Sequence, residues 1–198
     1  MTVVLGPYDY QWAAYQLLGT QDYQWLPGFV WTVARGDFLW WAGIVARERR
    51  SGIGSGLTFH TDCASGASRR RLRQIAAERD AAVLGDVSNL VYPEVCDAWG
   101  SPDLGEEFRR GVRDSAVPVL FISGTLDVRT PPVQAELARR GFRTSHHLVI
   151  EGAAHSDPLF LSSPAILEVM LEFLKSGKVS TTRLSVPIQF RPVREFND

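Results

Sequence analysis

The chain is 198 residues long, 45% hydrophobic and 22% charged, with a formal net charge of -1, the balance of one ordinary globular unit rather than of a disordered or fibrous chain. A sequence pI near 6.4 leaves no clustered excess of Lys and Arg for a phosphate backbone, so nucleic acid is not an expected partner. The most apolar stretch, Phe29 to Val45, is broken by Arg35, Gly36 and Asp37, so no run approaches the roughly 20 apolar residues that span a bilayer.

Residues 1 to 7 carry neither a basic n-region nor a long apolar h-region, so no signal peptide is read there and localisation stays open. Up to about residue 60 the chain is rich in Trp and Tyr, including Trp12, Trp25, Trp31, Trp40 and Trp41. Phe38, Trp41, Ala42 and Val45 recur at i, i+3, i+4, i+7, one face of a helix, which predicts a buried stripe rather than a cleft. From Ser68, Leu72, Ile75, Ala76 and Val83 share one side of an amphipathic helix stopped by Gly85, and its arginine run reads as a solvated face. Pro93, Gly100, Pro102 and Gly105 then mark a meandering connection, packed through Tyr92, Trp99 and Phe108. Cys63 and Cys96 lack any Cys-x-x-Cys or Cys/His ligand spacing, so no metal is expected. A disulfide between them would suit an exported protein and two free thiols a cytoplasmic one.

The pattern changes at Val117. Val117 to Gly124 is a short continuous apolar run, as a strand buried on both faces of a parallel sheet reads. Thr130 can N-cap a helix that opens with Pro131 and Pro132 and ends at Gly141. A second strand follows at His147 to Ile150. The last helix starts at Ser163-Pro164, buries Ile166, Val169, Met170, Phe173 and Leu174, and stops at Gly177. The tail from Lys178 to Asp198, with Leu184, Val186 and Ile188 alternating, either adds a strand or packs on the surface. Strand, helix, strand, helix predicts a parallel α/β sheet with right-handed crossovers.

Ligands of such sheets bind at the C-terminal ends of the strands. Asp127 lies just past the first strand and His155 just past the second, in Gly152-Ala153-Ala154-His155. Neighbouring strands are roughly 5 Å apart, so side chains on the two exit loops can meet. An aspartate bonded to histidine Nδ1-H fixes the tautomer and leaves Nε2 free to take a proton from a nucleophile. The plainer alternative has Asp127 capping the turn before Thr130 and His155 as a loop residue. His146 and His147, adjacent on a strand, point to opposite faces and cannot share a metal; His60 has no assigned role.

Residues Val117 to Pro131 and the Gly152-Ala153-Ala154-His155 loop resemble the C-terminal region of α/β-hydrolases similar to prolyl and tripeptidyl aminopeptidases, the TAP-like C-terminal domain. The resemblance implies that Asp127 and His155 are the acid and histidine of a serine-type catalytic triad. Residues Asp62 to Ser68 and Asn89 to Trp99 resemble the helical cap of such enzymes. The implied fold is a partial α/β-hydrolase: a mainly helical cap over 1–113, a core with acid and histidine loops over 114–178, and a tail over 179–198. The implied substrate is a small peptide, amide or ester, with no cofactor, and the family makes export a reasonable expectation.

No nucleophile is identified. A nucleophile elbow needs Gly-x-Ser-x-Gly on a strand-to-helix turn; Ser55 is flanked at two positions by Ile53 and Leu57, and Ser68 has Arg70 two residues on. Both serines read as turn or helix-cap residues, and Cys63 has no supporting context. In the family the nucleophile strand precedes the cap, so the chain is expected to begin after it and to lack the serine. Three functions follow: the acid-histidine portion of a hydrolase, an inactive remnant or binding module, or one half of a split enzyme completed by another chain. The sheet around Val117 to Ser123 should then have an unpaired edge and exposed apolar faces, with poor solubility alone.

Overall fold

A computed structural model describes residues 2–51, 56–89, 94–155 and 158–193. Its helices up to residue 110 are α1 (Pro7–Leu17), α2 (Leu26–Ala34), α3 (Leu39–Ser51), α4 (Gly56–Ser65), α5 (Arg69–Glu78), α6 (Glu94–Trp99) and α7 (Gly105–Arg110). Beyond them come strand β1 (Val119–Gly124), α8 (Pro132–Ala138), β2 (Ser145–Glu151), α9 (Pro158–Leu161), α10 (Pro164–Ser176) and β3 (Arg183–Ser185). The chain divides into two compact units: Met1–Tyr15 with Thr32–Gly111, and Gln16–Trp31 with Val112–Asp198.

The first unit is helical among the described residues. The expected stripe is met in part by α3: Trp41 and Val45 are buried, while Phe38 precedes the helix and is 45% exposed, edge-on to Trp41 at 5.7 Å. Arg49 of α3 bonds Asp9 of α1 at 2.6 Å. Cys63 on α4 and Cys96 on α6 form a disulfide with Cα atoms 5.2 Å apart. Trp99 stacks on Phe59 at 5.2 Å.

Two further expectations fail here. The helix after Ser68 ends at Glu78, well before Gly85, and buries no residue; Leu72 and Val83 are exposed. Four arginines among its first five residues leave an apolar stripe too narrow to drive burial. Phe108 is also exposed. Arg109 of α7 turns back to donate to the Ser65 carbonyl at 2.8 Å, which puts Phe108 on the outer side. Tyr92, the third expected anchor, lies outside the described residues.

The second unit is built on a parallel sheet in the order β1-β2-β3 among the described residues, a partial α/β fold. β1 begins at Val119 rather than Val117. Pro118 has no N-H for the ladder, and the Val117 amide is taken by Ser115 Oγ at 3.2 Å, which leaves Val117 63% exposed. β2 is the central strand, its Leu148 and Ile150 fully buried. They pack with Ala153, Leu159, Ile166, Val169 and Val186 into the core, flanked by Leu120 and Ile122 of β1. The tail adds β3, in register with Val149 to Glu151. β1 has one strand neighbour, β2, among the described residues.

Ser163 caps α10 by accepting the Ala165 amide, and Gly177 closes it in the left-handed conformation. Ile166 and Val169 enter the core as expected, but Leu174 is 75% exposed. It falls with Leu167 and Leu171 on a second apolar stripe at i, i+4, i+7 that no described element covers. Residues 16–31, expected in the helical segment, group instead with the sheet. The cause is a set of direct contacts: His155 donates its amide to the Gly19 carbonyl at 2.7 Å, Arg191 donates to the Gln24 carbonyl at 3.0 Å, and Tyr23 meets Phe190 edge-on.

Ile166→Ala should therefore cost about 2–5 kcal/mol in urea unfolding, while Leu174→Ala should shift stability by no more than about 0.5 kcal/mol. Similar losses at the two positions would contradict this division of α10.

Candidate active site

β1 and β2 run side by side in register, with Gly124 opposite Ile150, so their exit loops emerge together. The loops are bonded to each other: Thr125 N-H to the Ile150 carbonyl at 3.1 Å, Leu126 N-H to the Ala153 carbonyl at 2.9 Å, and Gly152 N-H to Thr125 Oγ1 at 2.9 Å. Two glycines make this approach feasible. A Cβ at Gly124 would collide with the Ala153 carbonyl, and Gly152 has φ of +83°, a conformation side chains disfavour.

Asp127 sits where the first loop turns and is only 2% exposed. Its Oδ1 accepts the amides of Arg129 at 2.9 Å and Thr130 at 2.8 Å; its Oδ2 accepts the Thr130 hydroxyl at 2.6 Å. His155 Nδ1 lies 2.9 Å from the same Oδ2 and 3.2 Å from Thr130 Oγ1. The structure thus brings the two sequence-identified residues into contact, and Asp127 also caps the turn before Thr130. Burial pushes the Asp127 carboxyl up, but the Thr130 hydroxyl and amide and the His155 bond together hold it below its ordinary value. An ionised carboxylate only accepts, so Nδ1 of His155 carries the hydrogen. Nε2 has no hydrogen-bond partner among the described residues, on a side chain 32% exposed.

Thr130 is not the N-cap expected of it. Pro131 takes that position without a side-chain bond, freeing the Thr130 hydroxyl for Asp127. Ser68 caps α5 by accepting the Arg71 amide, Cys63 is in its disulfide, and Ser55 lies outside the described residues. His146 contacts the Gly177 carbonyl through Nε2, and His60 bonds Ser101 through Nδ1 at 2.9 Å.

The structure adds one constellation that sequence reasoning missed. His147 is buried on β2, its Nδ1 2.6 Å from Glu136 of α8 and its Nε2 3.0 Å from Ser123 Oγ of β1. These three have the residue types of a triad, but Ser123 is buried, only 3% exposed. It is a hydrogen-bonded polar network of the sheet unit that ends on the half-exposed Glu136. Alternation in β2 signals that His147 points opposite His146; nothing in the sequence pairs it with Glu136 or Ser123.

One family model, described as TAP-like protein, matches residues 82–185, just over half of the chain, and takes in β1, β2 and β3. Comparison with curated proteins and with solved structures returns no match.

Because the Asp127 carboxyl is held below its ordinary value of about 3.9, the folded chain binds that proton less tightly than the unfolded chain does. Its stabilisation is complete above the unfolded pKa and fades as pH falls through the folded one. Thr130→Val removes the hydroxyl donor and raises the folded value, so acid unfolding followed by circular dichroism should begin at a higher pH than in the wild type. Coincident acid transitions would show that the hydroxyl does not hold the carboxylate.

Proposed function

Because the chain belongs to the TAP-like family, we propose that it acts as the acid-histidine portion of a serine-type hydrolase on small peptide, amide or ester substrates. The observation that carries the reading is the 2.9 Å contact of His155 Nδ1 with a buried, ionised Asp127, leaving Nε2 unengaged among the described residues. In this role Nε2 accepts the serine proton as the serine oxygen attacks the substrate carbonyl, then delivers it to the leaving group. Asp127 stays ionised throughout and stabilises the imidazolium. Thr130 holds Asp127 and so acts as a positioning residue.

The nucleophile in this reading comes from a segment or a separate chain bearing a Gly-x-Ser-x-Gly elbow and its oxyanion hole. Two facts support an outside serine: Ser68 and Ser123 are occupied as a helix cap and in a buried network, and Cys63 has no free thiol. Along the sequence this reading takes residues 1–113 as a mainly helical cap region, 114–178 as the core with the acid and histidine loops and 179–198 as the tail, although residues 16–31 group with the sheet unit. Export fits the Cys63–Cys96 disulfide.

The test is fluorophosphonate labelling of the chain alone, of the chain joined to the sequence encoded immediately upstream of Met1, and of the chain mixed with any separate elbow-bearing partner. Labelling is expected only in a completed form, and His155→Ala should slow it by at least about 10³-fold. Labelling of the isolated chain would overturn the outside nucleophile. No labelling in any form would favour a non-catalytic binding module.

A further inference from the structure

Helices α4 to α7 bury very little. Among the described residues from 56 to 111, only Val87 and Gly105 are buried. α4 and α5 have 10 residues each and bury none, and α6 and α7 have 6 each. Helices shorter than about 12 residues are marginal in water and persist only when something holds them. The rest of this unit has buried residues of its own, Ala13, Ala14, Trp41 and Val45, and the sheet unit has Leu148, Ile150 and Ile166. α4 is joined to the segment from α6 to α7 by the Cys63–Cys96 disulfide, by Phe59 against Trp99, and by exposed hydrogen bonds: Ser101 with His60 at 2.9 Å and Arg109 with the Ser65 carbonyl at 2.8 Å. Such exposed bonds exchange with water at little net gain, so the covalent tie dominates. Both cysteines are partly exposed and line a cavity of about 310 Å³, and access of this kind sets how fast a disulfide exchanges.

We propose that Cys63–Cys96 is a redox-sensitive lock: a dithiol reductant entering this cavity opens it, and α4, α6 and α7 then come apart while the sheet unit stays folded. In the first step a thiolate of the dithiol attacks one cysteine sulfur. The S–S bond breaks as a mixed disulfide forms, and the other cysteine leaves as a thiolate. The second thiol of the reductant then displaces the remaining cysteine and closes its own disulfide. Two electrons pass from the dithiol to the chain, and the protons it loses are taken up by the two cysteine thiolates. The bond spans a sequence separation of 33, so its loss restores to this segment the many open conformations that the link had removed. Few buried contacts oppose that gain in α4 to α7, whereas the sheet unit stands on its own core. An oxidising compartment keeps the lock closed and a reducing one opens it. The proposal does not depend on whether Asp127 and His155 take part in hydrolysis.

The experiment is hydrogen exchange read by mass spectrometry on the full oxidised chain, before and after millimolar dithiothreitol, with free thiols counted by maleimide labelling. Without denaturant, both thiols are expected to become free, and amide protection in α4, α6 and α7 to fall at least about tenfold. Protection in β1, β2 and α10 should stay as it was, and reoxidation should restore the helices. The paired substitution Cys63→Ser with Cys96→Ser should show the reduced pattern in any buffer; the reduced wild type, which starts from the folded oxidised chain, decides the matter if that variant does not fold. A disulfide that yields to dithiothreitol only in urea would overturn the proposal. So would unchanged protection of α4, α6 and α7 after reduction, or an equal loss across the sheet unit.

Discussion

The Asp127 carboxylate is a buried charge, and the sheet unit is arranged so that it is never unpaired. Four groups from two loops meet it: the amides of Arg129 and Thr130, the Thr130 hydroxyl and the His155 ring. A carboxylate taken out of water is tolerated only when its lone pairs are filled in this way. The same bonds that make burial bearable aim its second oxygen at His155. Stability and chemical orientation therefore come from one set of contacts.

That set depends on how closely the two exit loops run. β1 and β2 are parallel and matched residue for residue from Val119 and Ser145 onward. The lack of a side chain at Gly124 lets the Ala153 carbonyl come in to accept Leu126 N-H. Behind the histidine loop, the Gly19 carbonyl holds the His155 amide and Val186 donates its amide to the Glu151 carbonyl. Residues distant in sequence, from 16–31 and from the tail, thus brace the loop. Further down the strands, Glu136, His147 and Ser123 tie α8, β2 and β1 together through a second polar chain that runs from buried Ser123 and His147 out to the exposed Glu136 carboxylate.

Much of this unit was readable in the residues. The apolar run of β1, the Ser163 and Gly177 limits of α10, and the placing of Asp127 and His155 after consecutive strands all follow from local pattern. What escaped was set by partners remote in sequence. Thr130 looks like an N-cap until Asp127 competes for its hydroxyl. Leu174 fits the helix period but faces a side on which no described element packs. Leu72 and Val83 share a helical side by spacing, yet the arginines around Leu72 and the end of α5 at Glu78 leave both in solvent. The grouping of residues 16–31 with the sheet rests largely on backbone bonds to His155 and Arg191, which carry no side-chain signature, beside the Tyr23–Phe190 contact.

The protonation of the His155 ring tests the Asp127–His155 pairing most directly. Proton and ¹⁵N resonances of the neutral ring should show hydrogen on Nδ1, with a downfield Nδ1-H signal that disappears in Asp127→Asn, and Nε2 unprotonated. A ring carrying its hydrogen on Nε2, or an Nδ1-H signal indifferent to Asp127→Asn, would contradict the pairing and with it any role for His155 as the general base.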